Sequence, residues 1–550
     1  MMNTLSGCCR PLISLLLLLL VCAECAVHGD TLYNGIVLPA EWPPKIDLHG
    51  PLPEPPYLQR PPDIIPIDVG RQLFVDDFLV EQTDMHRTYH HAELYPGNPV
   101  VRSDRDWENN QAITFSDGVW YDPVDRKFKM WYWADVRGKF YTCYAESDDG
   151  IKWRKPDVGL DIVPGSNVVN QNLKRNSSTV WLDLDDKNSA ARFRMYHRGA
   201  GENVLDNATY TSPDGIHWSD PLVWGVSTGE MWVEDRTTMF YNPFRGKWVM
   251  SIKIVEEEAW DRRVRVRYYS ENSSWGKWNY QVPWTKVDEL DLPAPEIGVR
   301  TQLYNLDCVA YESVLLGLFS VWHDHLTNQC KFNCVKTGFS RDGFYWYRPD
   351  RKSFIPYTRD KRVGNNVQSA GGCCLVVGDK LYFYVSADED GPEARTALAM
   401  LRRDGFASMD AGSAEKTLTT RKMRFKGKYL FVNIDDPGGD LRVEALDSDG
   451  KVIKPFSKKN CGPVKVDKTL QAIGWKGAKD LSAVSGKVVR LKFYLKQGSL
   501  YSFWVSPDRS GASYGYVGAG GPGFTGSRDT VGTTPSLPPR VPHNVPHERT

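Results

Sequence analysis

The 550-residue sequence has no excess of charge of either sign, since 68 lysines and arginines balance 68 aspartates and glutamates. This balance argues against a nucleic-acid partner, because such proteins carry a basic surplus. Long apolar runs are also scarce. The one present, Leu12–Cys22, follows Arg10 and precedes the small residues of Ala23–Ala26. That pattern is typical of an export signal, so residues 1–29 are predicted to be a signal peptide.

No second run of about 18 apolar residues follows, so we expect no membrane span in the mature chain. A secreted or periplasmic location is therefore predicted. The residues Leu19-Leu20-Val21-Cys22 also resemble a lipoprotein box, but valine directly before the cysteine fits that alternative poorly. The sequence contains no indication of an oligomeric state.

Cysteine is too scarce for a disulfide framework, because only seven of the eleven cysteines lie outside residues 1–29 and seven is an odd number. Cys330 and Cys334 could form a local bridge, or the cysteines could be small buried thiols on strands. The spacing of these cysteines along the sequence does not match that of a zinc site. We therefore predict no metal and no cofactor.

Helix-period patterns are scarce as well, and short runs rich in Val, Tyr, Trp, Phe and Thr recur between turn residues, which predicts an all-β fold. One strand-turn-strand unit recurs five times, about 60 to 70 residues apart. Its copies span 119–132, 180–196, 239–250, 309–319 and 374–384. Five such units predict a five-bladed β-propeller over residues 67–410, with four strands in each blade.

A second marker, Ser-x-Asp-Gly-x-x-Trp, follows several of these units. It occupies 147–153, 212–218 and 340–346, with a truncated form at 403–406 and a degenerate one at 270–275. Asp-Gly supplies the positive-φ positions of a tight turn, and the tryptophan is expected to pack the turn onto its sheet.

The remaining segments differ in composition. Residues 30–66 are proline-rich and are expected to form an extended arm. The alternating strands of 411–512 predict a C-terminal β-sandwich, and the Gly- and Pro-rich residues 513–550 are predicted to be disordered. The apolar strand Leu73–Val80 is expected to close the ring by pairing with the last blade.

This architecture resembles the invertase, levanase and arabinanase group of glycoside hydrolases, and also secreted bacterial proteins described as invertase-like propellers. In the group, acids come from the first residues of different innermost strands. Asp106-Trp107-Glu108-Asn109-Asn110 stands where the group has Asn-Asp-Pro-Asn-Gly, and Glu234-Asp235-Arg236-Thr237 carries the residue types of its Arg-Asp-Pro element. The resemblance implies a sugar-binding mouth and hydrolysis of a furanoside.

Glycoside hydrolysis needs two carboxyl groups that face the same bond, one of them protonated. Asp235 precedes an apolar strand and stands beside Arg236, whose charge would keep it ionised. Asp307 lies between Leu306 and Cys308, and this apolar setting could raise its pKa into the range of a general acid. A structural Asp-Arg pair and a buried structural aspartate are the respective alternatives.

Glu108 is the third catalytic candidate, because the adjacent Trp107 could present a sugar face beside a carboxylate; a simple loop role is the alternative. The candidates for substrate binding are Trp107, Arg236, Trp232, Arg300, His91 and Gln368. The sequence thus predicts a secreted glycoside hydrolase acting on a furanoside or related polysaccharide. The alternatives are a non-catalytic carbohydrate-binding propeller and a sialidase-like hydrolase, since the Ser-x-Asp-Gly turns are similar to sialidase Asp-boxes.

Overall fold

The structure is a computed structural model, and it confirms the prediction of an all-β chain. The residues that it describes are 29–136, 139–172, 177–199, 207–224, 233–259, 262–276, 278, 280–293, 298–325, 332–358, 362–388 and 393–533. Within these ranges, helix is limited to Pro56–Gln59 and the 3₁₀ turn Ser189–Ala191. No helix among the described residues is long and apolar enough to cross a membrane.

Three sheets follow one another along the chain, and each is made of four consecutive antiparallel strands. Sheet 1 consists of Ile113–Asp122, Lys127–Val136, Lys139–Ser147 and Val168–Asn172. Sheet 2 consists of Ser177–Leu182, Phe193–Arg198, Asn207–Ser212 and Leu222–Trp224. Sheet 3 consists of Thr238–Asn242, Lys247–Ala259, Arg262–Asn272 and Val282–Thr285. Their first two strands coincide with the first three copies of the repeat unit.

Sheets 4 and 5 each include one strand from a distant part of the chain. Sheet 4 consists of Gly298–Glu312, Val314–His325, Phe332–Ser340 and Tyr516–Val517. Sheet 5 consists of Gln368–Ser369, Leu375–Val377, Lys380–Ala387, Arg395–Arg402 and Glu93–Leu94. The last sheet is therefore completed by residues 93–94 and not by Leu73–Val80, so that expectation was wrong.

The Ser-x-Asp-Gly turns have the same hydrogen bonds in all three complete copies. In the first, the Ser147 hydroxyl accepts from Gly150 N (2.9 Å), and Asp149 Oδ1 accepts from the backbone N–H groups of residues 151 and 152 (both 2.8 Å). The turns at 212–218 and 340–346 repeat these bonds. The motif therefore specifies its own turn, because every partner lies within a few residues.

Each turn also bonds to the preceding sheet. Trp131 Nε1 of sheet 1 donates to the Gly215 carbonyl of the second turn (2.7 Å), and Trp284 Nε1 of sheet 3 donates to Phe344 O (2.8 Å). The Tyr384 hydroxyl of sheet 5 donates to the Gly150 carbonyl of the first turn. A ring from the neighbouring sheet thus fixes each turn. The motif's own tryptophan also packs onto the sheet as expected in the third copy, where the Trp346 ring lies 5.4 Å from that of Phe319 in sheet 4.

The first strands of neighbouring sheets also contact one another. Hydrogen bonds join sheet 1 to 2 (Trp120 Nε1 to Val180 O, 2.9 Å), sheet 2 to 3 (Ser177 Oγ to Thr237 O, 2.8 Å) and sheet 3 to 4 (Thr238 Oγ1 to Leu306 O, 3.0 Å). Sheet 4 bonds to 5 (Ser369 N to Ser320 Oγ, 2.9 Å), and sheet 5 to 1 (Phe115 N to Ser386 Oγ, 2.7 Å). One large apolar core runs through all five sheets.

A second core lies between two further sheets. Sheet A consists of Asp467–Ala472, Tyr429–Asp435, Gly498–Ser506, Ala407–Ala411, His86–Tyr89 and Gln72–Leu73. Sheet B consists of Asp440–Leu446, Arg490–Lys496, Lys416–Thr420 and Val80–Thr83. Alternating residues of each strand face inward, and Phe493 of sheet B meets Phe503 of sheet A with ring centroids 5.3 Å apart.

The N-terminal strands belong with this second core. Strands within residues 72–89 pair with strands of the C-terminal half, although the predicted domain 67–410 grouped them with the five repeats. In the predicted arm 30–66, Ile65–Pro66 pairs in parallel with Met423–Arg424. Local alternation identifies a strand but not its distant partner, so the sequence could not reveal these pairings.

Residues 513–533 are ordered, so the prediction of disorder was wrong for this part of the tail. Val517 and Ala519 are fully buried, and the Ala519 backbone bonds to Cys374 O (2.8 Å) and to Tyr121 N (3.0 Å). Glycine makes this close packing possible: at Gly518 (φ +60°) a Cβ atom would lie 2.3 Å from Cys374 O. Residues 534–550 and the predicted signal peptide up to residue 28 lie outside the described residues.

Arg71 joins the two cores through a buried ion network. It is fully buried; its Nη1 donates to Asp404 Oδ2 (2.9 Å), and its Nε lies 3.4 Å from Glu312 Oε1. Its guanidinium lies 4.1 Å from the ring centroid of Trp504 in sheet A. Glu312 ends the first strand of sheet 4, so this one side chain connects the five-sheet body to sheet A.

The six described cysteines are all buried thiols: Cys143, Cys308, Cys334, Cys373, Cys374 and Cys461. Cys330, the other partner of the suggested local bridge, lies outside the described residues.

Candidate functional site

A buried polar cluster lies where the inner parts of sheets 3, 4 and 5 meet. Asn305 and Asp307 are two residues apart on the first strand of sheet 4, so their side chains share a face. Ser369 belongs to sheet 5, Arg236 lies two residues before the first strand of sheet 3, and Arg267 lies on the third strand of sheet 3. We call these five residues the central cluster.

Asp307 is held on one side only. Its Oδ2 accepts hydrogen bonds from Asn305 Nδ2 (2.6 Å) and from the Ser369 hydroxyl (2.6 Å). Its Oδ1 is buried and has no hydrogen bond to any described residue. Burial raises the pKa of Asp307, and the charges of Arg236 and Arg267 only partly oppose this rise.

Arg267 has a matching unsatisfied group. Its Nη2 donates to Asn305 Oδ1 (2.7 Å) and to Arg236 O (2.8 Å), and its Nε donates to Ser251 Oγ (3.1 Å). Its buried Nη1 has no hydrogen bond to the described part of the chain. Buried polar atoms without partners are costly, so this cluster is suited to hold water or a polar ligand.

Sheet 1 reaches the same cluster through an irregularity in its first strand. The register shifts between Ile113 and Gly118, and Phe115 has a φ of +46°. The Phe115 ring lies 3.8 Å from the guanidinium carbon of Arg236, and Ser116 Oγ lies 3.4 Å from Asn305 Nδ2. Four sheets therefore contribute to one polar centre.

Asp235 lies beside this centre and is more accessible, with 28% of its side chain exposed. Its carboxylate contacts the ammonium group of the buried Lys253. Burial lowers the pKa of Lys253 to about 7, and Arg265 acts in the same direction while Glu234 opposes it. The sequence predicted Arg236 as the cation beside Asp235, and the structure adds Lys253, whose ammonium group contacts the carboxylate.

Glu108 belongs to a separate network in sheet 1. Its Oε2 accepts from Asp104 N (2.7 Å) and Arg105 N (2.9 Å). Its Oε1 accepts from the Tyr132 hydroxyl (2.6 Å) and lies 2.6 Å from Lys155 Nζ. With both oxygens occupied and the side chain fully buried, this bonding indicates a structural role. Among the described residues, Glu108 contacts neither Asp235 nor Asp307, so its catalytic role stays a prediction.

The predicted binding residues fall into three groups. Arg236 lies in the central cluster, and the buried Gln368 precedes Ser369 and donates to Asn366 Oδ1 (2.9 Å).

Trp107 belongs to the Glu108 network, since its Nε1 donates to Asn167 Oδ1 (2.8 Å), and Asn167 donates to the Tyr132 hydroxyl (2.6 Å). His91 pairs with Asp350 (2.7 Å) at a partly exposed position. Trp232 and the side chain of Arg300 lie outside the described residues.

Sequence reasoning missed Asn305, Arg267 and Lys253, whereas Ser369 directly follows the predicted Gln368. Asn305 could have been found, because it stands two residues before Asp307 and shares its face. Arg267 and Lys253 lie on strands in which charged and apolar residues alternate, a pattern typical of a solvent-exposed face. Among the described residues, no three His, Cys, Asp or Glu side chains are grouped as metal ligands.

No protein-family model matches the sequence, and no curated protein matches it. Solved structures do. One comes from the GH130 family of mannoside phosphorylases, which contains glycoside hydrolases that target β-1,2-mannosidic linkages in Candida mannan; it is 12% identical, with 59% of this chain and 97% of that chain covered and a TM-score of 0.40.

A second is a glycosyl hydrolase from Bacteroides ovatus, which is 13% identical, with 57% of this chain and 94% of that chain covered and a TM-score of 0.38. A third is a fructofuranosidase from Schwanniomyces occidentalis complexed with fructosylnystose, which is 10% identical, with 76% of this chain and 98% of that chain covered and a TM-score of 0.37. The structures that the chain resembles thus include glycoside hydrolases, as the sequence suggested.

Proposed function

We propose that the chain is a glycoside hydrolase in which Asp307 acts as the general acid and Asp235 as the second carboxyl group. The observation that carries the proposal is the state of Asp307: a buried carboxyl group with a raised pKa, fixed through Oδ2, whose Oδ1 has no hydrogen-bond partner in the described part of the chain. A group of this kind holds its proton to a higher pH than an exposed aspartate does and can deliver it from a defined direction.

The proposal includes a closed five-bladed propeller with a C-terminal β-sandwich. It is supported by the order of the hydrogen bonds, which run from sheet 1 to sheet 5 and from sheet 5 back to sheet 1. In such a ring the inner strands converge on one axis. Residues as distant in the sequence as Asp235 and Asp307 would then face one substrate.

The reaction would begin with proton transfer from Asp307 Oδ1 to the glycosidic oxygen, whose bond to the anomeric carbon breaks. Asn305 and Ser369 would hold the carboxylate that remains, and Arg236 and Arg267 would stabilise its new charge. In an inverting reaction, water adds to the anomeric carbon and gives its proton to Asp235. In a retaining one, Asp235 forms the covalent bond and water later cleaves it, with Asp307 taking the proton.

Below about pH 7, where Lys253 carries its proton, its charge would keep Asp235 ionised, which either of these roles requires. Glu108 is assigned a structural part in this scheme, holding the loop before sheet 1. The proposed substrate is a furanoside or a related polysaccharide linkage. Export to the periplasm or the medium rests on the predicted signal peptide, residues 1–29.

A carbohydrate-binding protein without catalysis is the second candidate. The contact between Asp235 and Lys253 favours it, because a carboxylate that stays bound to an ammonium group is a weak nucleophile and a weak base. The two candidates differ in turnover but share the sugar site.

The test is Asp307→Asn, assayed with 4-nitrophenyl furanosides and pyranosides and with plant and microbial polysaccharides. We expect kcat to fall about 10²–10⁴-fold, with sugar binding retained and the alkaline limb of the pH profile lost. The matched control is Asp342→Asn, which also replaces a buried aspartate with a raised pKa but lies in the Ser-x-Asp-Gly turn 340–346.

Two results would contradict the proposal. Equal losses of activity in the two variants would mean that Asp307 has no specific role. If the wild-type protein binds a sugar yet hydrolyses no member of the panel, the binding function replaces the enzymatic one.

A further inference from the structure

A groove lies between sheets 1 and 5, where the chain enters sheet 1. Its volume is about 530 Å³, which is within the usual range for sites that bind small ligands. The central cluster takes its residues from sheets 3, 4 and 5 and their flanks, so the groove is a different site. We call it the side groove, and it is lined by residues 100–102, 104–105 and 153–156.

Backbone hydrogen bonds fix both walls of the side groove. On one wall, Val101 exchanges hydrogen bonds with Thr396 of sheet 5 (2.9 and 3.3 Å). On the other wall, Arg154 does the same with Glu146 of sheet 1 (2.8 and 3.0 Å). Lys155 joins the two walls, because its Nζ donates to a backbone carbonyl of the opposite wall (2.7 Å). The groove is therefore formed before a ligand arrives, which lowers the entropic cost of binding.

Trp153 gives the side groove an aromatic surface. This residue ends the first Ser-x-Asp-Gly motif, and its side chain is only partly buried. Tyr384 of sheet 5 meets the Trp153 ring edge to face, with ring centroids 5.6 Å apart. Within the described residues, no lysine or arginine is stacked on the Trp153 ring. Val100 and Pro156, which are also partly buried, extend the apolar surface. A sugar ring could pack its C–H face there.

The charges of the side groove are mostly paired with one another. Lys155 Nζ lies 2.7 Å from Asp104 Oδ1 and 2.6 Å from Glu108 Oε1. Arg154 Nη1 lies 2.6 Å from Asp148 Oδ2. A bound anion would have to compete with these carboxylates for the same cations. The pairing therefore favours an uncharged ligand.

Polar side chains of the side groove remain available to hydroxyl groups. Arg102 is exposed, and its side chain has no hydrogen bond or ion pair with a described residue. The Arg105 side chain is 45% exposed, and its Nε lies 3.7 Å from Asp104 Oδ1, which is too far for a hydrogen bond. A guanidinium group offers several donors in a rigid plane, and a carboxylate offers acceptors. Adjacent hydroxyl groups of one sugar can use both.

We propose that the side groove binds a neutral oligosaccharide, with one sugar ring packed on Trp153. Arg102, Arg105 and Asp104 hydrogen-bond to its hydroxyl groups. A sugar suits this groove because it has an apolar C–H face, a rim of hydroxyl groups and no charge. The inference goes beyond the proposed hydrolysis, since the side groove shares no residue with the central cluster or with Asp235. It would hold a polysaccharide without cleaving it.

The experiment uses the full-length Asp307→Asn protein, so that a hydrolase could not consume the ligand. Neutral oligosaccharides from galactan, mannan, xylan, arabinan and fructan are titrated by isothermal titration calorimetry. We expect at least one to bind, with an affinity that changes less than about twofold when salt is raised, because no net charge is neutralised. Hydrogen exchange measured with that sugar should slow in residues 100–105 and 153–156.

Substitutions in the same background test the contacts. Trp153→Ala should weaken binding of that sugar about tenfold, because it removes the ring surface. Its matched control is Trp218→Ala, which removes the tryptophan at the same position of the second turn, outside the side groove; this variant should bind within about twofold of its parent. Arg102→Ala removes an exposed side chain and should weaken binding about threefold without changing the urea denaturation midpoint.

Four results would overturn the inference. They are binding of none of the sugars, equal losses in Trp153→Ala and Trp218→Ala, unchanged affinity in Arg102→Ala, and tighter binding of acidic sugars than of neutral ones. Hydrolysis by a wild-type protein whose sugar binding ignores the side groove keeps the hydrolase and removes the inference. Binding in the side groove by a wild-type protein that cleaves no sugar keeps the inference and removes the hydrolase.

Discussion

Two copies of the same turn should respond in opposite ways to the same substitution. Asp214 and Asp342 occupy equivalent positions in Ser-x-Asp-Gly turns and make the same two backbone hydrogen bonds. They differ in burial: the Asp214 side chain is 38% exposed, whereas Asp342 is 4% exposed. We expect Asp214→Asn to destabilise the protein at pH 7 and Asp342→Asn to stabilise it.

Burial raises the pKa of Asp342 from 3.8 to about 6, despite hydrogen bonds from Phe344 N, Tyr345 N and the Ser340 hydroxyl. The unfolded chain therefore loses this proton at a lower pH than the folded protein does, and stability falls as the pH rises from about 4 to 6. At about 1.36 kcal/mol per pKa unit, the cost at pH 7 is about 3 kcal/mol. Asparagine keeps the acceptor oxygen without the charge, so Asp342→Asn should recover up to that amount.

For Asp214, burial also raises the pKa, but hydrogen bonds from the backbone and side chain of His217 outweigh it and hold the pKa at about 2. Its ionised form therefore stabilises the fold above about pH 4, and this contribution is lost as the pH falls further. The shift corresponds to about 2.4 kcal/mol, and solvent screening at this exposed position reduces it to about 1 kcal/mol. Asp214→Asn should lower the free energy of unfolding by that amount.

The assay is urea denaturation of both variants and the wild type at pH 7 and pH 4. The gain in Asp342→Asn should shrink from about 3 kcal/mol to under about 1 kcal/mol at pH 4, where the folded and unfolded states both bind the proton to a large extent. The loss in Asp214→Asn should remain. If Asp342→Asn is as destabilising as Asp214→Asn at pH 7, burial does not govern this carboxyl group and the reasoning is wrong.

Two further substitutions test the packing. Arg71→Met should lower the free energy of unfolding by about 3–5 kcal/mol, because it leaves Glu312 and Asp404 buried without their shared cation; denaturation curves that match the wild type would contradict this. Gly215→Ala should cost about 1–3 kcal/mol, since Gly215 has a φ of +82° and the new methyl group would lie 2.3 Å from the Trp131 ring; an unchanged melting temperature would show that the ring moves aside freely.

The sequence revealed the repeats because their signals are local. The serine, aspartate and glycine of each turn form hydrogen bonds within a few residues of one another, so a short sequence pattern is enough to specify the turn. The strands at 72–89 are different, because their partners are fixed by packing with residues more than 300 positions away. Composition also misled at 513–533, where glycine permits close packing instead of disorder.

The candidate site, like the fold, was predictable only where its signals are local in the sequence. Asp307 could be identified because its immediate neighbours are apolar, and burial does raise its pKa. Lys253 and Arg267 could not, because their strands alternate as exposed strands do and only the neighbouring sheets bury them. Glu108 was chosen for its adjacent aromatic residue, but its hydrogen bonds come from Tyr132 and the loop backbone, which the local pattern does not indicate.

Pairing between strands that are distant in the sequence limits the order in which the protein can fold during translation. Leu73 pairs with Ser502, which leaves the ribosome more than 400 residues later. At about 5–20 residues per second, the first strands would wait roughly 20 to 80 s for their partners. The edge of sheet 4 likewise waits for Tyr516–Val517. The earliest and latest parts of the polypeptide must therefore be present together before the five-sheet body or the body formed by sheets A and B is complete. In a nascent chain stalled at residue 410, both would be incomplete.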